Sequence, residues 1–247
     1  MAPPAQSLWD VIGDGVDGIP ELRTLIAAGA DVNETRDHGY TLFMSAVGAI
    51  ERDRRVLEAL IEAGADPHAV SEYGYNAYHA ALDAFFSPAS ADEARSILGY
   101  LHELGVNIEQ RNRSGYTPLA YAIDRGWAVE VEVMCELGAD VNALGPFRWH
   151  ENGEWKRVNV PLVFIAIEWG ERPEVMLDAM LGAGLNLDVH DKDGRTPYEY
   201  AVSALEEKLA SGPSRVSDPE GARILARDHD ERVATLRRCV ELLFDHR

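Results

Sequence analysis

The stretch GADVN stands at residues 29–33 and recurs, letter for letter, at residues 138–142. Degraded copies of it are GADPH at 64–68, GVNIE at 105–109 and GLNLD at 184–188. In four of the five cases a second glycine follows the first by ten residues, at positions 39, 74, 115 and 194. A constant step between two glycines predicts one local structure that is repeated along the chain.

The clearest copy of the repeat covers residues 112–144 and is 33 residues long. Thr117 can cap the first N–H groups of an inner helix, and Pro118 suits its first turn. Gly126 ends this helix, and apolar residues at helical spacing then predict an outer helix that stops at Gly138 in the left-handed conformation. Each unit is therefore predicted to be a helix–turn–helix followed by an extended loop.

These features resemble the ankyrin repeat, which has a Thr-Pro-Leu-His-x-Ala pattern and a 33-residue period. The pattern occurs as TPLAYA at 117–122, TPYEYA at 196–201 and NAYHAA at 76–81. TLFMSA at 41–46 lacks the proline, and VPLVFIAI at 160–167 lacks the preceding glycine. The resemblance implies an all-α fold, an ankyrin-repeat solenoid of stacked helix–turn–helix units with β-hairpin-like connecting loops.

We predict a single domain over residues 1–247 with about six repeats, of which the first and last are atypical caps. The approximate boundaries are 1–33 for the N-terminal cap, 34–68, 69–110, 111–144, 145–188, and 189–247 for the C-terminal cap. Three insertions interrupt the period, at residues 85–96, 144–160 and 211–221. Ser90 is predicted to cap a lengthened outer helix, and 211–221 is predicted to be a polar linker.

The chain is strongly acidic, with 42 Asp and Glu residues against 23 Lys and Arg residues and a net charge of −19. Before residue 211 the counts are 35 acidic and 16 basic residues, so this part carries the whole excess. Such a field repels nucleic acid and anionic membranes and favours a basic partner.

Other features of composition bear on the compartment. No apolar run is long enough to span a membrane, and the N-terminus has no basic and apolar regions of a secretion signal. Cys135 and Cys239 are predicted to be buried free thiols in a reducing compartment. Lysine is rare, with three residues, whereas Ala and Gly are abundant, a composition typical of GC-rich genomes. We therefore expect a cytoplasmic, bacterial protein that is a monomer when free.

The common catalytic, nucleotide-binding and metal-binding motifs are absent from the sequence. HDKD at 190–193 places carboxylates beside a histidine, but at a predicted turn, where Asp is favoured for local geometry. His79 occupies the histidine position of the ankyrin pattern, for which the resemblance implies hydrogen bonding between neighbouring loops. We expect no catalysis, no cofactor and no metal.

The resemblance also implies a concave protein-binding surface formed by loop tips and inner helices. Tyr40, Tyr75 and Tyr116 follow the second glycine of consecutive loops and are predicted to form a row. Such a row either packs on the next repeat or offers contact area to a partner. Turn residues before that glycine are further candidates for the contact surface: Glu72, Tyr73 and Arg113.

A second row consists of Asp83, Asp124 and Glu168, each predicted at the end of an inner helix. Acids at a helix C-terminus are mildly unfavourable against the helix dipole, which favours a role other than helix stability. Either they are solvated helix ends or they face a basic partner.

The insertion at 144–160 combines aromatic and basic residues in an otherwise acidic chain. The aromatic members are Phe147, Trp149 and Trp155, and Arg148 is the basic residue expected to support them. Trp and Arg are enriched among the residues that dominate interface energies, and inserted loops often carry function. The insertion either binds a partner or folds back on the repeats.

The leading hypothesis is a non-catalytic module that binds one partner protein through the concave face and the 144–160 loop. Within this class, an inhibitor or immunity-type protein that masks a basic toxin is the favoured role. One alternative is a structural scaffold or adaptor of a larger assembly. A second is an enzyme or metal-binding protein built on the same repeats.

Overall fold

The structure is a computed structural model that describes residues 7–49, 53–83, 90–151, 154–169, 172–212 and 219–246. Within these ranges the side chains of 149–151, 154–156, 169 and 219–223 are not described. The chain divides into two compact units, Met1–Tyr121 and Ala122–Arg247. Both units consist mainly of helices that pack in chain order.

The first unit starts with α1 (Leu8–Val11), a 3-10 segment (Ile12–Gly18) and α2 (Ile19–Ala27). A short antiparallel pair, β1 (Thr35–Arg36) and β2 (Tyr40–Thr41), leads into α3 (Leu42–Val47) and α4 (Arg54–Glu62). Next come α5 (Ala77–Leu82), α6 (Ala91–Glu103) and α7 (Pro118–Asp124). Inner helix α3 packs against α4 and α5, α5 packs against α6, and α4 packs against α6. Successive repeats therefore lie side by side, as stacking requires.

The second unit contains α8 (Ala128–Glu136), β3 (Leu144–Glu151), β4 (Glu154–Pro161), α9 (Leu162–Trp169), α10 (Pro173–Gly182), α11 (Pro197–Ser211) and α12 (Pro219–Asp245). Helix α10 packs against α8, α9 and α12, and α11 packs against α9 and α12. The long final helix thus packs along both α10 and α11.

The predicted helix starts are confirmed. A hydroxyl or amide oxygen caps four of the inner helices, α3, α5, α7 and α11, by accepting a hydrogen bond from the main-chain N–H three residues further on. The pairs are Thr41 with Met44, Asn76 with His79, Thr117 with Ala120, and Thr196 with Glu199. Ser90 likewise caps the lengthened outer helix α6.

The outer helices end at the first glycine of each loop. Gly138 has φ 83°, and the N–H of Ala139 donates to the Met134 carbonyl oxygen at 3.0 Å. Only glycine takes this left-handed conformation without steric cost, which is the reason for its place after the helix. The same hydrogen bond and a positive φ occur at the other four loops, at Gly29, Gly64, Gly105 and Gly184.

The third residue of every GADVN copy is Asp or Asn, and the structure gives the reason. Its side-chain oxygen accepts a hydrogen bond from the N–H two residues further on, at 2.8–3.0 Å. This local turn is one that Asp and Asn favour. The five residues are Asp31, Asp66, Asn107, Asp140 and Asn186.

The fifth residue of GADVN, an asparagine, forms hydrogen bonds to the loop of the next repeat. The Asn142 amide nitrogen donates to the Gly184 carbonyl at 3.1 Å, and the Asn142 oxygen accepts from the Asn186 N–H at 2.7 Å. Asn33 makes the equivalent two bonds, to the Gly64 carbonyl and the Asp66 N–H. The exact copies of the motif are therefore the two loops in which an asparagine bridges to the following loop.

The loop tips of the first unit are joined through the main chain. The Glu72 N–H donates to the His38 carbonyl at 2.7 Å, and the Arg113 N–H donates to the Tyr73 carbonyl at 2.8 Å. Gly74 combines φ 77° with a close approach, since a Cβ there would lie 2.9 Å from the Asn112 Cα. Any larger residue at Gly74 would push the two tips apart.

Two sequence expectations need correction. The insertion, predicted as a loop, contains a regular antiparallel pair, β3 with β4, whose register runs from Leu144 opposite Pro161 to Glu151 opposite Glu154. The linker predicted over 211–221 is shorter, because α11 includes Ser211 and α12 begins at Pro219. Proline is well suited to a first helical turn, so Pro219 starts a helix where polarity had suggested a loop. Residues 213–218 lie outside the described residues.

Leu119 on α7 is 1% exposed and belongs to the core of the first unit. We expect Leu119→Asp to be unfolded, because burying an unpaired carboxylate costs several kcal/mol against a total stability of roughly 5–15 kcal/mol. Val70→Asp is the matched control, since Val70 is 48% exposed. Circular dichroism measures the melting temperature of each variant. A Leu119→Asp melting curve like that of wild type would show that Leu119 does not belong to the core.

The asparagine bridge makes a second prediction. Asn142→Ala removes two hydrogen bonds between consecutive loops and should lower the free energy of unfolding by about 1–2 kcal/mol. His68 stands at the equivalent position of another loop and makes no such bridge, so His68→Ala should change it by less than about 0.5 kcal/mol. Urea unfolding measures both variants, and equal effects would contradict the bridging role.

Candidate functional site

The tyrosine row of the first unit forms part of a packed cluster. Tyr40 and Tyr75 are half-buried, whereas Tyr116 is only 7% exposed. The Tyr75 ring stacks on the His79 ring, with centroids 5.1 Å apart and planes 4° apart. Tyr121 meets both Tyr75 and Tyr116 edge-on at about 6 Å. Tyr40 and Tyr75 are therefore partly exposed, whereas Tyr116 is buried within the cluster.

Asp83, at the end of inner helix α5, is engaged by the next repeat. The Tyr121 hydroxyl donates to the Asp83 carboxylate at 2.8 Å. Burial, together with the negative charge of Asp83 and the nearby Tyr75, raises the pKa of Tyr40 to about 12. The Asp83 carboxylate thus lies close to Tyr40 and Tyr121, at the C-terminal end of α5.

The predicted turn residues of the first unit come together at the loop tips. Tyr73 is 46% exposed and packs against His38, with ring centroids 4.6 Å apart. The Arg113 guanidinium lies 5.9 Å from the Tyr73 ring, and Glu72 approaches His38 at 3.4 Å. Glu72, Tyr73 and Arg113 therefore form one exposed surface.

In the second unit, the hairpin of β3 and β4, here called the finger, extends from residue 144 to 161. Its register pairs Phe147 with Val158, Arg148 with Arg157, and Trp149 with Lys156. Both strands are edge strands, which is where the prolines Pro146 and Pro161 are tolerated. Arg148 is exposed. The side chains of Trp149 and Trp155 lie outside the described part of the chain, so their roles stay predictions.

A cleft of about 260 Å³ lies between the finger, α9, α11 and the loop that precedes α11. We call it the finger cleft. Its apolar lining is Phe147, Val158, Val160 and Phe164, and its polar lining is Glu168, Asp191, Lys192, Asp193, Arg195 and Tyr200. Two residues predicted from sequence, Phe147 and Glu168, are brought together here.

A ring stack organises the polar wall of the finger cleft. The Arg195 guanidinium lies 4.9 Å from the Tyr200 ring, which meets the Phe164 ring edge-on at 5.3 Å. Arg195 is also paired with Asp191 at 2.7 Å. Burial opposes ionisation of Asp191, but hydrogen bonds from the main chain and side chain of Arg195 outweigh it and lower the pKa of this carboxyl. The Asp191–Arg195 pair is therefore ionised at neutral pH and holds the two side chains in place in this wall.

Glu168 completes the cleft at the end of inner helix α9. Its carboxylate accepts a hydrogen bond from the Tyr200 hydroxyl at 2.8 Å. Burial, then the charge of Glu168, raises the pKa of Tyr200 well above its ordinary value, so the hydroxyl stays a donor. Arg232 donates to the main-chain carbonyls of Ile167 and Glu168 at 2.6 and 2.8 Å, which secures the helix end.

The acidic row predicted from sequence thus has differing surroundings. Asp83 and Glu168 each accept a tyrosine hydroxyl from the following repeat, while Asp124 is half-buried at the end of α7. The sequence reasoning missed both tyrosine partners, Tyr121 and Tyr200. The signal was present, because each is the fifth residue of a helix-start pattern, TPLAYA and TPYEYA.

The described residues contain no group of three or more His, Cys, Asp or Glu side chains placed to hold a metal ion. Across the same residues, no helix combines the length and the apolar character that crossing a membrane requires. Cys135 and Cys239 are free and buried, as predicted, and burial raises the pKa of each thiol to about 12.

Comparison with solved structures identifies the fold. An ankyrin repeat domain from Acinetobacter baumannii is similar to this chain with a TM-score of 0.57 and 22% identity, covering 91% of this chain and 96% of that domain. No protein-family model and no curated protein sequence matches the chain. The chain therefore has the ankyrin-repeat fold, and the all-α fold that the resemblance implied is confirmed.

His79 provides a pH-dependent test of the tyrosine cluster. Burial lowers the pKa of this histidine from 6.5 to about 4, partly offset by its hydrogen bond to the Tyr116 carbonyl. Below pH 6.5 the unfolded chain binds a proton that the folded chain does not. The free energy of unfolding should therefore fall between pH 6.5 and 4, by on the order of 3 kcal/mol from this residue.

Imidazole NMR titration measures the effect directly. We expect the pKa of His79 to lie below 5, and the His79→Gln variant, which lacks this imidazole, assigns its resonance. Urea unfolding of His79→Gln at pH 7 and pH 5 should show a smaller loss of stability than wild type. A pKa near 6.5 for His79 would contradict its described burial.

Proposed function

We propose that this chain is a non-catalytic protein-binding module whose partner docks in the finger cleft. The observation that carries the proposal is the cleft itself, in which an inserted hairpin brings apolar side chains opposite a preformed polar wall. The insertion interrupts the repeat pattern, so the stacking of repeats does not account for it. Ankyrin repeats in general bind proteins, which supports the same class of function.

The size of the cleft favours an anchor side chain over a cofactor. Its volume of about 260 Å³ lies below the range of roughly 300–1,000 Å³ that is usual for small-molecule pockets. Interfaces gain most of their energy from a few side chains that fill such pockets. A partner residue of Leu or Phe type, inserted against Phe147, Val158 and Phe164, fits this arrangement.

The acidic composition supports a basic partner. With a net charge of −19, the chain attracts positively charged proteins over a Debye length of about 8 Å at physiological salt. Masking such a partner, as an inhibitor or immunity-type protein does, is the role we propose. A one-to-one complex in which the partner loses activity would support it, whereas a complex with several partners at once would favour a scaffold.

The docking site can be tested without knowing the partner. Peptides selected against the chain from a random display library are titrated against wild type, Val158→Asn and the control Leu209→Asn. Both replaced side chains are exposed, at 39% and 50%, but only Val158 lines the finger cleft. Val158→Asn should weaken binding about tenfold, equivalent to about 1.4 kcal/mol, and Leu209→Asn less than twofold.

The same titration tests the predicted tryptophan anchors. Trp149→Ala and Trp155→Ala should each weaken binding by up to about thirtyfold, or about 2 kcal/mol, without a matching fall in melting temperature. If affinity and melting temperature fall together, the finger is structural. If no selected peptide distinguishes Val158→Asn from Leu209→Asn, the cleft is not the docking site.

A further inference from the structure

We infer that the finger cleft selects a partner segment in which an apolar side chain stands beside a lysine or arginine, and that the Glu168 carboxylate determines this preference. The inference rests on the proposed function, because it concerns the occupant of the same cleft. It specifies the side chains of the bound segment and names Glu168 as the residue that recognises the cation of that segment. The supporting observation is how the charged side chains that line the cleft pair with one another.

The two cations of the cleft are already paired within their own loop. Arg195 contacts the carboxylates of Asp191 at 2.7 Å and Asp193 at 3.3 Å. Lys192 contacts Asp193 at 2.9 Å. Asp191 is held further by the N–H groups of Asp193 and Arg195, and its side chain is only 8% exposed. These four charged side chains pair with one another and have little remaining capacity to form an ion pair with a partner.

Glu168 is the remaining charge of the cleft, and its surroundings differ. Among the described residues no cation forms an ion pair with its carboxylate, whose hydrogen-bond donor is the neutral Tyr200 hydroxyl. The side chain is exposed. Arg232 donates to the main-chain carbonyls at this helix end and not to the carboxylate, so the charge of Glu168 is left for a partner's cation.

The position of this carboxylate links charge to the apolar pocket. Phe164 and Glu168 are one helical turn apart on α9 and both line the cleft with Tyr200. A side chain packed on Phe164 therefore places its neighbour in the partner close to Glu168. Charge-assisted hydrogen bonds between a carboxylate and Lys or Arg are roughly twice as strong as neutral ones. A Lys or Arg beside the apolar residue of the partner would therefore add more binding energy than a neutral residue there.

The Tyr200 hydroxyl has a positioning role in this scheme. By donating to Oε2 of Glu168 it limits the rotamers of the carboxylate, and its own ring is held between Arg195 and Phe164. A partner cation then meets an already oriented acceptor, which lowers the entropic cost of binding.

The test is a double-mutant cycle between the protein and a library-selected peptide. Wild type, Glu168→Gln and the control Asp188→Asn are titrated with the peptide and with a version whose basic residue beside the apolar anchor is Gln. Gln keeps the acceptor for Tyr200, and Asp188 is an exposed acid of the same unit outside the cleft. Selected peptides should be enriched in Lys or Arg beside an apolar residue.

For the basic peptide, Glu168→Gln should weaken binding five- to twentyfold, and for the Gln version less than twofold. Asp188→Asn should change neither by more than twofold. Tyr200→Phe should reduce the coupling between Glu168 and the peptide cation, a readout that simple loss of packing would not move. The coupling should also decrease as salt is raised.

The outcomes separate the inference from the proposed function. If peptides bind in a manner that depends on Val158 but Glu168→Gln has equal effects on the two peptide versions, the inference is wrong and the docking site stands. If no selected peptide depends on Val158, both fail. Enrichment of acidic residues beside the anchor would likewise overturn the inference.

Discussion

The conformation of the ten-residue loop between two left-handed glycines is the constraint on which the rest of the structure depends. The first glycine lets the outer helix end in a fixed hydrogen-bond pattern, and the Asp or Asn two residues later turns the chain. The second glycine allows a neighbouring tip to approach within main-chain hydrogen-bonding distance, as at Gly74. Because these contacts set the step between repeats within each unit, they also decide which inner-helix side chains meet.

One result of that step is a recurring pair between consecutive inner helices. An acid at the end of one helix, Asp83 or Glu168, accepts the hydroxyl of a tyrosine on the next, Tyr121 or Tyr200. In the first unit the pair belongs to a packed aromatic cluster with His79. In the second unit the inserted finger turns the same pair into one wall of a cleft. An ordinary repeat contact thereby becomes part of the cleft that we propose binds a partner.

Most of the fold was predictable because its signals are local. Glycine, the Thr or Asn cap and the Asp or Asn turn residue each act within a few positions, so their spacing in the sequence predicts the loop and both helix ends. The finger was not predicted as a hairpin, although Asn152-Gly153 is a turn signal, because its strands alternate weakly in polarity. The Tyr121 and Tyr200 pairings were missed because they join residues more than 30 positions apart, where only the repeat register relates them.

The central claim is that the finger cleft holds an apolar side chain and a neighbouring cation of a partner. A crystal structure of the chain bound to a selected peptide tests it most directly. The claim predicts an apolar side chain against Phe147, Val158 and Phe164, and a lysine or arginine nitrogen within about 3.2 Å of the Glu168 carboxylate. A peptide bound on another surface, with the cleft vacant, would contradict it.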